Sequence, residues 1–414
     1  MVTLAHHIDI KFLKEAFDRT RKDGAAGVDG QTAEEYAENL EDNLRSLLER
    51  FKSGTYRAPP VRRVHIPKGD GSKTRPLGIP TFEDKVLQTA VTMILEAVYE
   101  QDFLPCSRGF RKEYSTHGTL ETLWKSLMAI GGGWVIDADI EKFFDQLDHK
   151  CLRSFLDQRV RDGVIRRAIG KWLKAGVLES GELSRSTQGT PQGGVISPLL
   201  ANLYLHEVLD KWFETEVKPR LKGRAALLRY ADDFVILFEL EEDARRVMSV
   251  LPKRFARFGL TLHPDKTRLI DFRRPSTGGD GRSQKGRSFD FLGFTHHWGR
   301  SRRDKWVVRQ KTAKGRLKRA VTAIARWCRQ HRHLPVRVQW AILERKLRGH
   351  YAYYGLTGNY GALARYRHLV ARAWRKWLAR RSQRRLTWAR FNRLLERYPL
   401  PPARVVHSVC VAKP

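Results

Sequence analysis

The sequence predicts an α+β fold that ends in a helical, strongly basic quarter. Three observations carry this. Short apolar runs at Trp134–Ile136, Ala225–Leu228, Phe234–Phe238 and Phe289–Phe294 have the length and the Val, Ile, Leu and Phe content of strands. Longer segments at 8–22, 32–52, 82–98, 150–178 and 242–259 repeat apolar residues at helical spacing. From Thr312 onward the texture is helical at 313–331, 337–354 and 361–381, with Arg and Lys over the faces that the apolar residues leave.

Charge divides the chain in the same way. Its 414 residues include 78 Lys+Arg and 45 Asp+Glu, a net charge of +33. Residues 301–414 hold 30 of these cations against three acids, Asp304, Glu344 and Glu396. A near-balanced body joined to such a module points to a polyanion, most commonly nucleic acid. An anionic membrane is the alternative, but no 18-residue apolar run and no signal peptide is present. Cys106, Cys151, Cys328 and Cys410 form no CxxC pair, which supports neither a zinc site nor a disulfide framework and suits a reducing cytoplasm. Six of the eleven Trp lie after position 300, interleaved with cations, and most are expected in a core.

In chain order, the first helical segments are split by the turn-rich Gly24–Gly30. Arg62–Lys68 and Lys73–Pro80 flank Gly69-Asp70-Gly71-Ser72 and read as a hairpin that carries Lys68 and Arg75 close to its turn. Paired cations there can hold a triphosphate through charge-assisted bonds, although a solvated basic hairpin has the same look. A helix is expected to start near Ser115 or Thr116, by the capping preference of small hydroxyl residues.

The strand Trp134–Ile136 runs into Asp137-Ala138-Asp139-Ile140-Glu141-Lys142-Phe143-Phe144-Asp145. Strand alternation puts Asp137 and Asp139 on one face, and Asp145 reads as a structural hydrogen-bonding residue. Gly189-Thr190-Pro191-Gln192-Gly193-Gly194 precedes Ser197 and Pro198, which are expected at the N-cap and first position of a helix. Its apolar residues, Leu199 to Trp212, fall on roughly one face. The glycines admit close backbone approach, and Gln192 offers an amide.

Arg229-Tyr230-Ala231-Asp232-Asp233-Phe234 lies between two strands so closely spaced that a tight hairpin must carry both carboxylates at its tip. A solvated acidic turn is the plain alternative. Two-metal phosphoryl transfer, however, needs carboxylates from separate strands, and strand-end Asp139 with hairpin-tip Asp232 and Asp233 meets that need. Pro264-Asp265-Lys266-Thr267 adds a loop with one cation.

With these pieces in order, the chain resembles a group II intron-encoded reverse transcriptase/maturase. The resemblance rests on Arg75–Pro80, Asp139–Asp145, Gly189–Pro198, Tyr230–Asp233, Pro264–Thr267 and Phe291–Phe294, in the family's order and spacing, over nearly the whole chain. Gly27-Val28-Asp29-Gly30 is similar to the N-terminal extension of non-retroviral reverse transcriptases. The basic helices are similar to the thumb, or maturase domain. The resemblance implies a right-hand polymerase, with an N-terminal extension at 1–58, fingers and a ferredoxin-like palm at 59–299, and an α-helical thumb at 300–414. The chain ends soon after that thumb, which resembles the compact class C lineage without an endonuclease domain.

By the same resemblance the activity is RNA-directed DNA polymerisation with intron RNA binding and splicing, in service of retrohoming. Asp139, Asp232 and Asp233 would hold two Mg²⁺, with Mn²⁺ as a substitute. Lys68 and Arg75 would neutralise the triphosphate, Phe144 would lie beneath the incoming sugar, and Gln192 and Lys266 would line the nucleotide. Partners would be group II intron RNA, RNA template, DNA primer or target and dNTPs, in a bacterial cytoplasm, on the nucleoid when bound to DNA, with no membrane. Two other readings stand beside it: a relative recruited to phage defence or CRISPR spacer acquisition, and an RNA-binding splicing factor without polymerase activity.

Overall fold

The structure, a computed structural model, describes residues 1–68, 73–179, 182–184, 189, 193–275, 287–301, 303–381 and 386–408. The chain opens on α1 (Ile10–Arg19), α2 (Ala33–Glu38) and α3 (Leu40–Ser53). Then come β1 (Val61–Lys68), β2 (Lys73–Ile79), α4 (Phe82–Tyr99) and α5 (Thr116–Ile130). β3 (Trp134–Ala138), the single turn α6 (Phe143–Gln146), α7 (His149–Asp157), α8 (Gly163–Lys174), β4 (Val177–Glu179), β5 (Glu182–Ser184) and α9 (Ser197–Leu205) follow. Next are β6 (Ala225–Tyr230), β7 (Asp233–Phe238), α10 (Glu241–Ala256), β8 (Arg268–Asp271), β9 (Phe289–Phe291), β10 (Phe294–Arg300) and β11 (Trp306–Thr312). The helices α11 (Lys314–Gln330), α12 (Val336–Tyr354), α13 (Tyr360–Leu378) and α14 (Trp388–Arg397) close the described chain.

Contacts divide these elements into two compact units. One gathers 1–68, 74–115 and 135–269; the other gathers 116–134 and the chain from 270 onward. Neither limit falls at the boundaries expected after residues 58 and 299.

In the first unit the helix starts follow side-chain chemistry. Asp9 accepts from the Phe12 amide, Thr32 and Glu35 form a reciprocal capping box, and Asp162 accepts from the amides of Val164 and Ile165. The two strands expected at 62–80 are β1 and β2, in a sheet of order β2-β1-β4-β5; their turn, 69–72, lies outside the described residues. A second sheet runs β6-β7-β3-β8, with β6 and β7 antiparallel. α9 departs from expectation in two ways. Its first residue is Ser197 and Ile196 is the N-cap, so Pro198 sits at the second position. It is buried on nearly every side, not on one face, and continues as π-helical turns at His206–Asp210 and Phe213–Val217. That continuation carries Asp210 into the interior.

In the second unit β9, β10 and β11 form an antiparallel meander. Asn359, just before α13, bonds the Thr312 amide and hydroxyl, both at 2.9 Å, and so fastens the end of β11 to that helix. Leu343, Leu347, Leu363, Val370 and Trp374 lead the helical core. The expectation that most Trp are core is corrected: only Trp172, Trp212, Trp298 and Trp374 are buried. Trp327, Trp340 and Trp377 pack on the helical core from its margin, and Trp388 is largely exposed. Indoles flanked by Arg on amphipathic helices lie along the border between core and charged face, where a large ring covers apolar surface without full burial.

Candidate active site

The β6–β7 register pairs Tyr230 with Asp233, which leaves a two-residue turn of Ala231 and Asp232. Positive φ falls on Ala231, at 59°, and not on either Asp, although Asp tolerates turn dihedrals. An L-residue in that region is strained by about 1–3 kcal/mol and persists only where its surroundings impose the conformation.

Here the surroundings are identifiable. Gly109 presses against the turn: a Cβ on it would lie 2.1 Å from the Ala231 nitrogen. The Arg229 guanidinium, fully buried, donates to Asp210 Oδ1 at 2.7 Å and Oδ2 at 2.5 Å, to Asn202 Oδ1 at 3.0 Å, to Ser107 Oγ at 2.6 Å and to the Ala231 carbonyl at 3.0 Å. Those five contacts match the five N–H donors of a guanidinium. Asn202 also donates to the Gly109 carbonyl at 2.7 Å, which closes the network on the segment that presses the turn. Backbone bonds add to it, from the Arg229 amide to Cys106 O and from the Arg108 amide to Arg229 O.

Asp139 follows β3 directly. Its carbonyl accepts from the His263 amide at 2.8 Å, and Ile140 bridges Leu262. That pairing sets the 264–267 loop beside it: Lys266 Nζ lies 2.5 Å from Asp139 Oδ2, and Arg268 NH2 lies 2.9 Å from Asp137 Oδ2. The alternation expected for Asp137 and Asp139 is thus mirrored by Lys266 and Arg268. Asp139 and Asp232 are near enough to interact. Burial chiefly raises the Asp232 carboxyl above the ordinary range, and the Asp139 charge adds to the rise. Arg75 and Arg229 act in the opposite sense, which brings Arg75 into the same field.

Gly189 and Gly193 close the site from another side. Both have positive φ, at 85° and 113°. A Cβ on Gly189 would sit 2.9 Å from the Phe144 carbonyl, and one on Gly193 would sit 2.6 Å from the Gly78 carbonyl. Gly189 is therefore seated against the Phe144–Asp145 turn, and Gly193 against the end of β2. Phe143 and Phe144 are not on an extended segment, as alternation would need; they open α6 after Lys142 at φ 41°. Their rings do not point apart but meet edge to face, with planes at 63° and centroids 5.4 Å apart, Phe143 buried and Phe144 half-buried. Asp145 and Asp233 are exposed. The Lys68 side chain and Gln192 lie outside the described residues.

The structure thus gathers Asp139, Asp232, Arg75, Lys266 and the backbone around Phe144. Among the described residues no three His, Cys, Asp or Glu side chains are grouped closely enough to hold a metal ion. The donor chemistry nonetheless suits a hard cation: two carboxylates repel each other, and the Lys266 ammonium already stands on one of them. The residues that sequence reasoning did not single out are Arg229 as a clasp, Asp210, Asn202, Ser107 and Gly109. Their one signal was polar residues inside apolar runs, Arg229 within β6 and Asn202 among the leucines of α9.

Comparison with known proteins gives a consistent picture. Residues 66–296 match the family described as reverse transcriptase (RNA-dependent DNA polymerase). The group II intron-encoded protein LtrA of Lactococcus lactis subsp. cremoris is 42% identical over 186 residues, 45% of this chain and 30% of its own length. Protein YkfC of Escherichia coli is 35% identical over 279 residues, 59% of this chain and 71% of its own. Nuclear intron maturase 2 of Arabidopsis thaliana is 26% identical over 233 residues, 47% of this chain and 30% of its own. The chain spans less than a third of the length of LtrA.

Proposed function

Because the chain belongs to the reverse transcriptase (RNA-dependent DNA polymerase) family, on its group II intron-encoded side, we propose that it extends a DNA primer on an RNA template and binds intron RNA as a maturase. What supports it is that strand-end Asp139 and hairpin-tip Asp232 lie within electrostatic reach of each other and of Arg75, with Lys266 paired to Asp139.

In this reading the right hand comprises an N-terminal extension at 1–58, fingers and palm at 59–299 and a thumb at 300–414. Asp139 and Asp232, with Asp233 at the exposed edge of the turn, would hold Mg²⁺. Bound there, the ions supply charge neutralisation of the triphosphate and acidification of the primer 3′-hydroxyl. Lys266 guards Asp139 against repulsion by Asp232 until a cation replaces it. Arg75, with Lys68 on the partner strand, offers charge to the triphosphate. Gln192, three residues after Gly189 in the sequence, would line the nucleotide, and the half-buried Phe144 ring would lie beneath the incoming sugar. The buried Arg229 clasp keeps the Asp232 turn fixed, so no reorganisation is needed when substrate arrives.

The partners are then RNA template, DNA primer, dNTPs and intron RNA, in a cytoplasmic setting. Among the described residues no helix is long and apolar enough to cross a membrane. Similarity to LtrA and to an intron maturase supports the intron reading over recruitment to defence or spacer acquisition. The retained carboxylates support a working polymerase over a splicing factor that has lost it. Primer extension on poly(rA)/oligo(dT) with Mg²⁺ tests this reading; a folded chain that binds RNA without extending primer would favour the splicing factor.

A further inference from the structure

In the first unit a cleft of about 790 Å³ opens between α7, α8 and the segment after α3. Arg57, Arg153, Arg166, Arg167, Lys171 and Lys174 line it, against one carboxylate, Asp157. Two of these cations have structural duties. Arg166 pairs with Asp157 at 2.7 Å, and Lys171 donates to the carbonyls of Gly54 at 2.6 Å and Tyr56 at 2.5 Å. Among the described residues Arg57, Arg153, Arg167 and Lys174 have no carboxylate partner. Four exposed cations without a carboxylate partner around one concavity set up a positive field that favours an anion.

The floor carries a second observation. Gly170 lies inside α8, where glycine costs about 1 kcal/mol relative to alanine. The protein's own packing does not require it: a Cβ there would meet only the Arg153 guanidinium, at an ordinary 3.9 Å. Its missing side chain keeps the floor open between Arg153 and Arg167. Leu156 and Ile169 also line the cleft but are buried, so the accessible lining is chiefly the cations. Arg167 and Lys174 stand two turns apart on α8, roughly 10 Å along the axis, which is longer than one phosphate group. Planar guanidinium forks match phosphate oxygens, and this spacing suits successive phosphates of one strand.

We propose that this cleft binds an RNA strand, with backbone phosphates on Arg57, Arg153, Arg167 and Lys174. None of its lining residues belongs to the candidate active site or to the basic C-terminal helices. The inference rests on the nucleic-acid reading above and adds a second RNA surface to it.

The test uses the full-length chain, a mixed-sequence single-stranded RNA oligonucleotide, and two variants. Arg153→Glu with Arg167→Glu reverses the charge. Gly170→Leu fills the floor, keeps every cation and improves helix propensity, so its melting temperature stays level or rises. Both are expected to weaken RNA binding about tenfold or more. The double charge reversal should lower the slope of log affinity against log salt by about 1.4, at about 0.7 for each single-strand phosphate that is no longer neutralised. Extension of saturating poly(rA)/oligo(dT) should stay within about twofold. Wild-type affinity and slope in a folded Gly170→Leu chain would overturn the proposal. So would displacement of the RNA by inorganic triphosphate at lower concentration than RNA nucleotides, which would assign the cleft to a small polyphosphate. Absence of extension by the wild-type chain would reject the polymerase reading instead, while the binding arm still decides the cleft.

Discussion

Arg229 and Asp210 form a fully buried bidentate ion pair whose arginine also holds the carbonyl of the strained Ala231 turn. Breaking a buried pair by removing one partner leaves an uncompensated charge and costs about 3–5 kcal/mol, whereas replacing both partners with apolar residues is often near neutral. Asp210→Asn should therefore lower unfolding free energy by about that much in denaturant titrations. Arg229→Met with Asp210→Leu should recover part of the stability but not primer extension, because Met leaves Ala231 O, Asn202 and Ser107 without their donor. Recovery of both together would mean that the pair only stabilises.

Gly109 supplies a cleaner probe of the same turn. Gly109→Ala places a Cβ where only 2.1 Å separates it from the Ala231 nitrogen, and backbone must move. A shift of about 1 Å in a catalytic group costs on the order of 10²-fold in rate. Single-turnover extension should fall by about that factor, with RNA affinity unchanged. Extension within about fivefold of wild type would show that the turn tolerates displacement.

Phe144 and Phe143 should separate by role. A ring beneath the incoming sugar leaves a 2′-hydroxyl either clashing or unpaired, at a cost of a few kcal/mol. Phe144→Val should raise ribonucleotide use relative to deoxynucleotide by about 10- to 100-fold in single-nucleotide extension. Phe143→Ala, which empties a buried site, should cost about 3–5 kcal/mol of stability and leave the ratio alone. An unchanged ratio for a folded Phe144→Val chain would remove Phe144 from sugar selection.

Asp84 gives a pH dependence. Burial pushes its carboxyl up to about 6, against the restraining hydrogen bonds of Tyr56, Trp172 and Gln88. The folded state thus takes up this proton at higher pH than the unfolded chain, whose carboxyl titrates near 3.9. Protonation favours folding, so this group's contribution is fully present below about pH 4 and is lost as pH rises through about 6. The total is roughly 3 kcal/mol at about 1.4 kcal/mol per unit. Asp84→Asn should remove that slope, read as the difference between wild-type and variant unfolding free energies from pH 4 to 7. Parallel curves would contradict the assignment.

Much of this is legible in the sequence because it depends on local pattern. The hairpin around Asp232, the strand before Asp139 and the basic helices all follow from spacing. What escapes depends on packing at long range. The meeting of Arg229 with Asp210 requires α9 to continue as π-helical turns, and the seating of Gly109 against Ala231 joins residues over a hundred positions apart. Strand alternation would point Phe143 and Phe144 apart, but they open a helical turn after a left-handed Lys142 and their rings meet edge to face. Charge alone puts the C-terminal boundary near 300, whereas the β9–β11 meander groups with the helices from 270 onward. A fragment ending at Arg300 would therefore cut through a compact unit, and the basic helices are better probed by substitution.

The central claim is that Asp139 and Asp232 form the polymerising centre, apart from the charge that binds RNA. Primer extension on poly(rA)/oligo(dT) with Mg²⁺, run beside RNA binding for wild type and Asp232→Asn, tests it most directly. Asp232→Asn replaces a carboxylate with an amide, a poor Mg²⁺ ligand, and should abolish extension while RNA affinity stays within about twofold. Wild-type extension by the folded variant, or equal loss of extension and RNA binding, would contradict the account.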